Sequence, residues 1–225
     1  MLGKVLAEYL EKEGFDIGYV TTSRKEYMNN MSSKSRLETA NRVGEVIFTQ
    51  LSRPLKEIIR EINVVSNNHY AEHLIRTIGR ADNIDVYENA LDAGVKYTAD
   101  FWKSKGIDNS SLHMYDGSGL APQNAVSPHF LTDLLSYMYN DSGYSDEFFN
   151  SLPKAGQEGT VRNFLANSKY SGKASVKSGS IGGVQTYAGY IIDGDKKLAF
   201  SIIVNKYNCT RSQVRGAIEQ LLLSM

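Results

Sequence analysis

Apolar side chains recur at three- and four-residue intervals in five stretches of the chain, which is the pattern of an amphipathic helix. These stretches predict helices at about residues 2–12, 54–63, 86–105, 128–138 and 210–222. Two further helices are expected at about residues 68–79 and 160–166. Gly14 is predicted to end the first helix. Ser52 is a candidate cap with Pro54 in the first turn that follows, and Ser127 with Pro128 opens a later helix in the same way.

Strands are predicted where apolar residues alternate or run together, at about residues 15–20, 46–51, 175–192 and 198–204. The third of these stretches contains Gly182 and Gly183 and is therefore predicted to be a hairpin. Its second strand would place Tyr187, Gly189 and Ile191 on one face and Ala188, Tyr190 and Ile192 on the other. The run at 198–204 is expected to be buried on both faces. Helices in the middle and antiparallel strands near the end predict an α+β architecture.

Composition narrows the classes of function. The chain has 225 residues, 41% of them hydrophobic, and 25 basic residues balance 25 acidic ones. A neutral chain with scattered Lys and Arg gives no reason to expect nucleic acid or an anionic membrane as a partner. No apolar run approaches the length of a membrane span, and Met1 leads into an amphipathic helix instead of a signal peptide. The polar stretch at residues 21–41 is predicted to be a long loop or a domain boundary.

The hairpin carries the first candidate chemistry. Lys177, Ser178 and Gly179 end its first strand, so a cation and a hydroxyl group would face an anionic ligand at the edge of a sheet. A glycine at position 179 would let a substrate lie against the strand, and edge strands accept extended peptides by main-chain pairing. Ser66 and Asn68 lie in a predicted turn between two helices, where a hydroxyl and an amide can share one hydrogen-bond network.

The order of several short motifs resembles one family. They are Ser66-Asn67-Asn68 with Ala71-Glu72, Asp116 to Leu120, Leu152-Pro153 with Ala155-Gly156, Lys177 to Ser180, Gly183-Val184 and Ala188-Gly189-Tyr190. Serine-x-asparagine followed by lysine-serine/threonine-glycine before a strand pair marks the penicillin-recognising serine acyltransferases. The ordered set closely resembles the class C low-molecular-mass penicillin-binding proteins, which are D-alanyl-D-alanine carboxypeptidase/endopeptidases. The resemblance covers about residue 46 to the C-terminus.

The resemblance implies a fold and a division of the chain. It implies the transpeptidase fold shared by penicillin-binding proteins and serine beta-lactamases, with an antiparallel sheet flanked by helices and incomplete at the N-terminus. Residues 1–44 would be the tail of an inserted domain and a linker. Residues 45–225 would be the C-terminal part of the catalytic domain.

The resemblance also implies roles for individual residues. Ser66 would relay a proton and Asn68 would hold the acyl chain of the substrate. Lys177 would supply positive potential, and Ser178 would donate a hydrogen bond to the terminal D-alanine carboxylate. Gly179 and Ser180 would complete the substrate-binding strand, with the backbone N–H of Ser180 in the oxyanion hole.

The nucleophile expected from the family is the serine of an S-x-x-K motif that precedes these residues. Ser151 to Lys154 fits that motif literally, but Pro153 lies inside it and no apolar helical stripe follows. We therefore interpret this match as a coincidence. Two of three motifs are present, and this chain alone is expected not to form an acyl-enzyme.

The implied partners are peptidoglycan stem peptides that end in D-Ala-D-Ala and, as suicide substrates of the complete enzyme, beta-lactams. The implied mechanism requires no metal or organic cofactor. Peptidoglycan lies outside the cytoplasmic membrane, so the implied location is the periplasm or cell envelope. A different class remains open, namely a non-catalytic peptidoglycan-binding module.

A metal-dependent alternative rests on His69, Glu72 and His73. They form H-x-x-E-H, the inverted zinc-peptidase signature, which on a helix places two imidazoles one turn apart. A third protein ligand would have to come from elsewhere in the chain. The sequence favours the penicillin-binding interpretation, because Ala71 and Glu72 already belong to that pattern.

Overall fold

The computed structural model describes residues 2–17, 49–81 and 89–225. The chain divides into two compact units, residues 1–50 and residues 51–225. In the first unit, helix α1 (Leu2–Lys12) has the predicted bounds, and Gly14 with a φ of 88° follows it. Residues 15–17 and 49–51 form no strand. The other residues of the strands predicted at 15–20 and 46–51, and the loop predicted at 21–41, lie outside the described residues.

The second unit begins with helices and ends with a sheet and a closing helix. Its elements are α2 (Leu55–Val65), α3 (Asn68–Ile78), α4 (Ala90–Ser104), α5 (Pro128–Asn140), α6 (Ser145–Ser151), a 3₁₀ turn (Gly159–Val161), β1 (Ala174–Ile181), β2 (Val184–Asp193), β3 (Lys196–Asn205) and α7 (Arg211–Leu223). The α+β class predicted from the sequence is confirmed.

The sheet is antiparallel, with strand order β1-β2-β3. A two-residue turn at Gly182 and Gly183 joins β1 to β2, as the glycine pair predicts. In this register Lys177 pairs with Ala188 and Ser178 pairs with Tyr187. Among the described residues β1 is an outer strand of the sheet, with an isolated bridge between Ser175 and Lys154 at its N-terminal half and the lysine-serine-glycine motif nearer its C-terminal end.

Each face of the sheet packs against a different layer. On one face, residues of β1, β2 and β3 form a core with α7 and with the segment 161–170. Tyr187 stacks on Phe164 there, with ring centroids 3.8 Å apart. On the other face Tyr190 packs against Leu135 of α5 and donates its hydroxyl proton to the Leu135 carbonyl at 2.7 Å. The alternation predicted for β2 is confirmed, because Tyr187 and Tyr190 belong to opposite faces.

Helices α3 and α4 cross at very close range through glycine. A Cβ atom at Gly94 of α4 would overlap the Ile75 carbonyl, and one at Gly79 would overlap the Ala90 carbonyl. Small residues let the two backbones approach this closely. Gly94 is buried at this crossing.

Four predictions about elements are wrong. Strand β3 contacts a core cluster on each face, but it is not buried as predicted, because only Phe200 is fully buried and the other residues of the strand are partly or fully exposed. The helix expected at 160–166 is a three-residue 3₁₀ turn followed by irregular turns. Pro54 is the N-cap residue of α2 and not part of its first turn, while the Ser52 hydroxyl bonds to the neighbouring Arg53 carbonyl.

Helix α6 was missed, since seven residues offer too few turns for a visible apolar period. Across residues 2–17, 49–81 and 89–225, no helix combines the length and the apolar character that a membrane crossing requires.

Candidate active site

The first half of the site is the turn between α2 and α3. Ser66 ends α2 in the left-handed conformation, with φ 58° and ψ 54°. This conformation is uncommon for a residue with a side chain and costs about 1 kcal/mol. Asn67 begins α3 as its cap, because its side-chain oxygen accepts the backbone N–H of Tyr70 at 3.1 Å. Asn68 is the first residue of α3 and is exposed.

The second half of the candidate site is strand β1, and its Lys177 contacts the turn that contains Ser66. The Lys177 Nζ donates a hydrogen bond to the Ser66 Oγ at 3.0 Å, although 111 residues separate the two in sequence. It also donates to the Ser178 carbonyl at 2.8 Å. Because the Ser66 oxygen accepts this bond, its own hydroxyl proton is available to another group.

Burial lowers the pKa of the Lys177 ammonium below its ordinary value, because a charged amine loses hydration inside the protein. A lysine of this kind gives up its proton more readily than an exposed one. Lysine and serine at this distance can therefore exchange a proton with a third group placed beside them.

Ser178, Gly179 and Ser180 continue along the edge of β1. The Ser178 hydroxyl lies 2.9 Å from the Thr160 hydroxyl, and either oxygen can donate. A Cβ atom at Gly179 would come within 2.6 Å of the Thr186 Oγ1 on the neighbouring strand. This crowding is a second reason for glycine at position 179, beside the approach of a substrate. Ser180 is exposed near the end of the strand.

Helix α2 is held in place by polar contacts with the chain around residues 150–159. Arg60 donates to the Asn150 carbonyl and to the Glu158 carboxylate, each at 2.7 Å. A hydrogen bond from the Lys154 backbone N–H, and then the Arg60 charge, lower the pKa of Glu158. A Cβ atom at Gly159 would overlap the Val64 carbonyl, so the chain passes directly against the end of α2. These contacts position Ser66 opposite Lys177.

The S-x-x-K match at Ser151 to Lys154 belongs to the same region. Ser151 is 2% exposed, donates to the Phe148 carbonyl at 2.7 Å and accepts from the Asn63 side chain at 2.9 Å. The Lys154 Nζ donates to the Ser175 hydroxyl at 2.7 Å. These bonds favour a structural role for both residues. The interpretation of the match as a coincidence stays a prediction.

Glu72 supports the loop that contains Asp116 to Gly119. Its carboxylate accepts the backbone N–H groups of Gly117 and Ser118, each at 3.0 Å. His69 and His73 have ring centroids 4.4 Å apart. Within the described ranges, no group of three or more His, Cys, Asp or Glu side chains converges as metal ligands do. The engagement of Glu72 with two amides does not favour the zinc alternative.

Two residues near the site were missed by sequence reasoning. Thr160 was expected only as the start of a helix, yet it contacts Ser178. Gln185 is fully buried, donates to the Gly179 carbonyl at 3.1 Å and accepts from Arg211 Nε at 2.9 Å. A glutamine at an inward position of a strand was the available signal, since a buried amide needs specific partners.

Comparison with solved structures identifies the fold. Penicillin binding protein 4 (dacB) from Haemophilus influenzae superimposes with a TM-score of 0.72 at 24% identity, over 80% of this chain and 42% of that one. Its complex with a beta-lactam gives a TM-score of 0.70 at 21% identity, over 84% and 48%. The fold is therefore that of the penicillin-binding proteins, as the motifs predicted.

Sequence comparison narrows the class to a family. Residues 25–224 match the D-Ala-D-Ala carboxypeptidase 3 (S13) family, and the chain belongs to it. A D-alanyl-D-alanine carboxypeptidase from Actinomadura sp. (strain R39) is 30% identical over 73% of this chain and 31% of its own length. The carboxypeptidase DacB of Haemophilus influenzae is 26% identical over 73% and 34%. The chain thus spans about a third of the length of these relatives.

Proposed function

We propose that this chain supplies the substrate-binding strand and the proton-relay serine of a serine-type D-alanyl-D-alanine carboxypeptidase/endopeptidase. The observation that carries the proposal is the hydrogen bond between Lys177 and Ser66, which joins the two motifs across the edge of the sheet. Family membership supports it, because the matched relatives are named as carboxypeptidases of this kind.

Each residue has a role that its position allows. A D-Ala-D-Ala tail lies along the edge of β1, where Gly179 leaves the strand uncovered and Ser178 donates to the terminal carboxylate. The backbone N–H of Ser180 polarises the scissile carbonyl as part of the oxyanion hole. Ser66 passes a proton to the leaving amine, Lys177 stabilises the charge that develops, and Asn68 holds the acyl chain.

The proposal includes the organisation of the whole enzyme. Residues 45–225 are the C-terminal part of the catalytic domain, residues 1–44 are the tail of an inserted domain and a linker, and a serine from a separate S-x-x-K segment attacks the substrate. The ligands are stem peptides of peptidoglycan and beta-lactams, which places the enzyme outside the cytoplasmic membrane. A peptidoglycan-binding module without catalysis would use the same strand.

Binding of N-acetyl-D-Ala-D-Ala to the whole chain, followed by ¹H–¹⁵N NMR, tests the proposal. We expect the amides of Ser178 and Ser180 and those of residues 66–68 to shift. Lys177→Met should weaken binding by about tenfold, because it removes a charge-assisted contact while keeping the aliphatic stem.

The controls are the L,L-peptide and Lys197→Met, which removes an exposed lysine of β3. The L,L-peptide should not shift the amides of Ser178, Ser180 and residues 66–68. Lys197→Met should bind N-acetyl-D-Ala-D-Ala as tightly as the wild type does. Equal binding of both peptides, or full affinity in Lys177→Met, would show that the edge of β1 is not a D-Ala-D-Ala site.

A further inference from the structure

The two histidines near the start of α3 have no role in the proposed function. His69 and His73 are four residues apart on this helix, so their side chains lie one above the other on the same face. Their ring centroids are 4.4 Å apart, and the ring planes meet at 75°. Both side chains are exposed, and neither takes part in an ion pair of the described residues. The pair is therefore accessible to a ligand from solution.

The histidine pair borders a cleft of about 440 Å³ between α2 and α3. The cleft has an apolar part and a polar part, and the residues with hydroxyl groups in its lining are Ser52, Tyr70 and Thr77. Arg53 is the charged residue of this lining, and it is exposed, so water and salt screen its repulsion of a bound cation. The cleft thus has room for an ion together with water molecules.

The distance between the two rings is that of two imidazoles bound to one metal ion. A metal lies about 2.0–2.1 Å from a histidine nitrogen, which places the centroid of that ring about 3.2 Å from the metal. Two such centroids are about 4.5 Å apart when the two metal–nitrogen bonds meet at a right angle, and about 5.2 Å apart when they meet at the tetrahedral angle. The observed 4.4 Å corresponds to the right angle.

This angle indicates the kind of metal. Neighbouring ligands at a right angle are typical of tetragonal and octahedral ions, and imidazole is a good ligand for Ni²⁺ and Cu²⁺. Because the second side-chain torsion of histidine has a broad energy minimum, the exposed rings can turn one nitrogen each toward the ion without a change in the backbone.

Glu72 is not part of this site, although it lies between the two histidines in sequence. One of its carboxylate oxygens accepts the backbone N–H groups of Gly117 and Ser118, and the other lies 3.6 Å from the Arg76 guanidinium. Across the described ranges no third His, Cys, Asp or Glu converges with the pair. The geometry therefore favours a two-histidine site completed by water, and it differs from the zinc peptidase considered from the sequence.

We propose that His69 and His73 bind one divalent ion of a late first-row transition metal, such as Ni²⁺ or Cu²⁺, on the exposed face of α3. The ion connects two successive turns of the helix directly after Asn68. It therefore stabilises the part of α3 that follows the turn of Ser66 to Asn68. Because neither histidine contacts β1 in the described structure, this site is independent of the edge of β1 where the substrate is proposed to bind.

Calorimetric titration of the whole, untagged chain with NiCl₂ in a non-coordinating buffer tests the proposal. We expect one Ni²⁺ ion per chain. His69→Gln and His73→Gln should each weaken the binding at least about tenfold, because each variant leaves one imidazole to hold the ion. Circular dichroism of the variants checks that α3 is retained.

A rearranged variant separates the spacing of the histidines from their number. Tyr70→His/His73→Gln keeps two histidines on α3 but places them at adjacent positions, which point about 100° apart around the helix axis. It should bind Ni²⁺ as weakly as His73→Gln does. Full affinity in this double variant would overturn the proposal.

Two further variants exclude other ligands of Ni²⁺. His129→Gln removes an exposed histidine that lies 3.5 Å from Asp133, four residues further along α5, and Cys209→Ser removes the exposed thiol. Both should bind Ni²⁺ like the wild type. Loss of binding in either one, or full affinity in both His69→Gln and His73→Gln, would show that the ion binds elsewhere in the chain and would overturn the proposal.

Hydrogen exchange shows where the ion acts. Saturating Ni²⁺ should slow the exchange of the α3 amides at residues 73–77 at least about threefold in the wild type, with little change in β1 and β2, because the ion stabilises the helix that it bridges. The same concentration should have no effect on these amides in His73→Gln. Slowing that is equal in the wild type and in His73→Gln, or none in the wild type, would overturn the proposal and leave the proposed function as it stands.

Discussion

At the scale of the residue, the unusual feature of this protein is a partly buried cation, Lys177, that is paired with neutral groups. Lys177 bonds to a hydroxyl and a carbonyl, and it is not among the ion-paired residues of the described ranges. A buried charge without an opposite partner is unfavourable. A bound carboxylate would offset part of this cost, which is consistent with an anionic ligand at the edge of β1.

The pKa of Lys177 gives a prediction with a definite sign. An unfolded lysine titrates near pH 10.4, as a rough reference, and burial lowers the pKa of Lys177 in the folded chain. Between the two values the unfolded chain binds more protons, so this residue makes the free energy of unfolding rise with pH. Below the pKa of Lys177 in the folded chain, the residue is charged in both the folded and the unfolded state. Desolvation of this charge then lowers the free energy of unfolding by its full amount.

Urea unfolding of the wild type and of Lys177→Met at several pH values measures this effect. The stability of the wild type relative to the variant should increase from about pH 7 to about pH 10. The difference between the two proteins removes the titration of other groups. A difference that stays constant would show that Lys177 keeps an ordinary pKa, and one that falls with pH would show that folding raises its pKa.

At the scale of the element, helix α2 determines where Ser66 lies. The end of α2 rests against Gly159, which adopts a φ of +49° and leaves no room for a Cβ atom beside the Val64 carbonyl. Arg60 and Glu158 add an ion pair on the same side, at 45% and 33% exposure of their side chains. An ion pair this exposed contributes little stability, so the close backbone contact is the more important constraint.

Gly159→Ala should therefore lower the free energy of unfolding by about 3 kcal/mol, because it combines an unfavourable φ with overlap of backbone atoms. It should also weaken N-acetyl-D-Ala-D-Ala binding, since α2 must shift away from Lys177. Gly216→Ala is the matched control: a Cβ atom there meets no atom within 4 Å, and the residue lies inside α7. That variant should stabilise the chain by about 0.5–1 kcal/mol.

Urea unfolding measures both stabilities, and the NMR titration measures binding. A Gly159→Ala protein as stable as the wild type would mean that the chain at residue 159 can move without cost. In that case Ser66 would be positioned by other contacts.

The sequence predicted most elements correctly where local chemistry determines them. Ser127 with Pro128 opens α5, and Thr210 caps α7 with a complete capping box. The sequence did not predict that the turns around Gly159 replace a helix, because this segment takes its conformation from contact with α2 and not from its own period.

At the scale of the whole molecule, the unit of residues 51–225 has its apolar cores on the two faces of the sheet. In the part of the chain that the structure describes, neither core cluster contains a residue of α3 or α4. These two helices pack closely on each other through Gly79 and Gly94. Regions with less buried apolar contact open more easily than the rest of a protein.

We therefore expect the backbone amides of α3 and α4 to exchange with solvent at least about tenfold faster than those of β1 and β2. Native-state hydrogen exchange with NMR or mass spectrometric detection measures the rates. Because Ser66 to Asn68 connect α2 to α3, N-acetyl-D-Ala-D-Ala should slow exchange in α3 as well as in β1. Uniform protection of helices and strands would show that the unit opens only as a whole.

The sequence by itself determined the family and the elements that carry its motifs. Motifs with a fixed spacing, such as lysine-serine-glycine before a glycine turn, can be recognised in the sequence without a structure. That Ser66 lies next to the strand around Lys177 could be predicted only from the resemblance, because neither segment by itself indicates a partner 111 residues away in sequence.

Only the tertiary structure decided the contacts between distant segments. It brought Lys177 to Ser66, placed Thr160 against Ser178, and gathered Arg162, Arg211 and Arg215 around one cleft. The physical reason is that hydrogen bonding and helical or strand periodicity act over a few residues, whereas a site is assembled by packing. Side chains far apart in sequence become neighbours when the same buried surfaces bring their elements together.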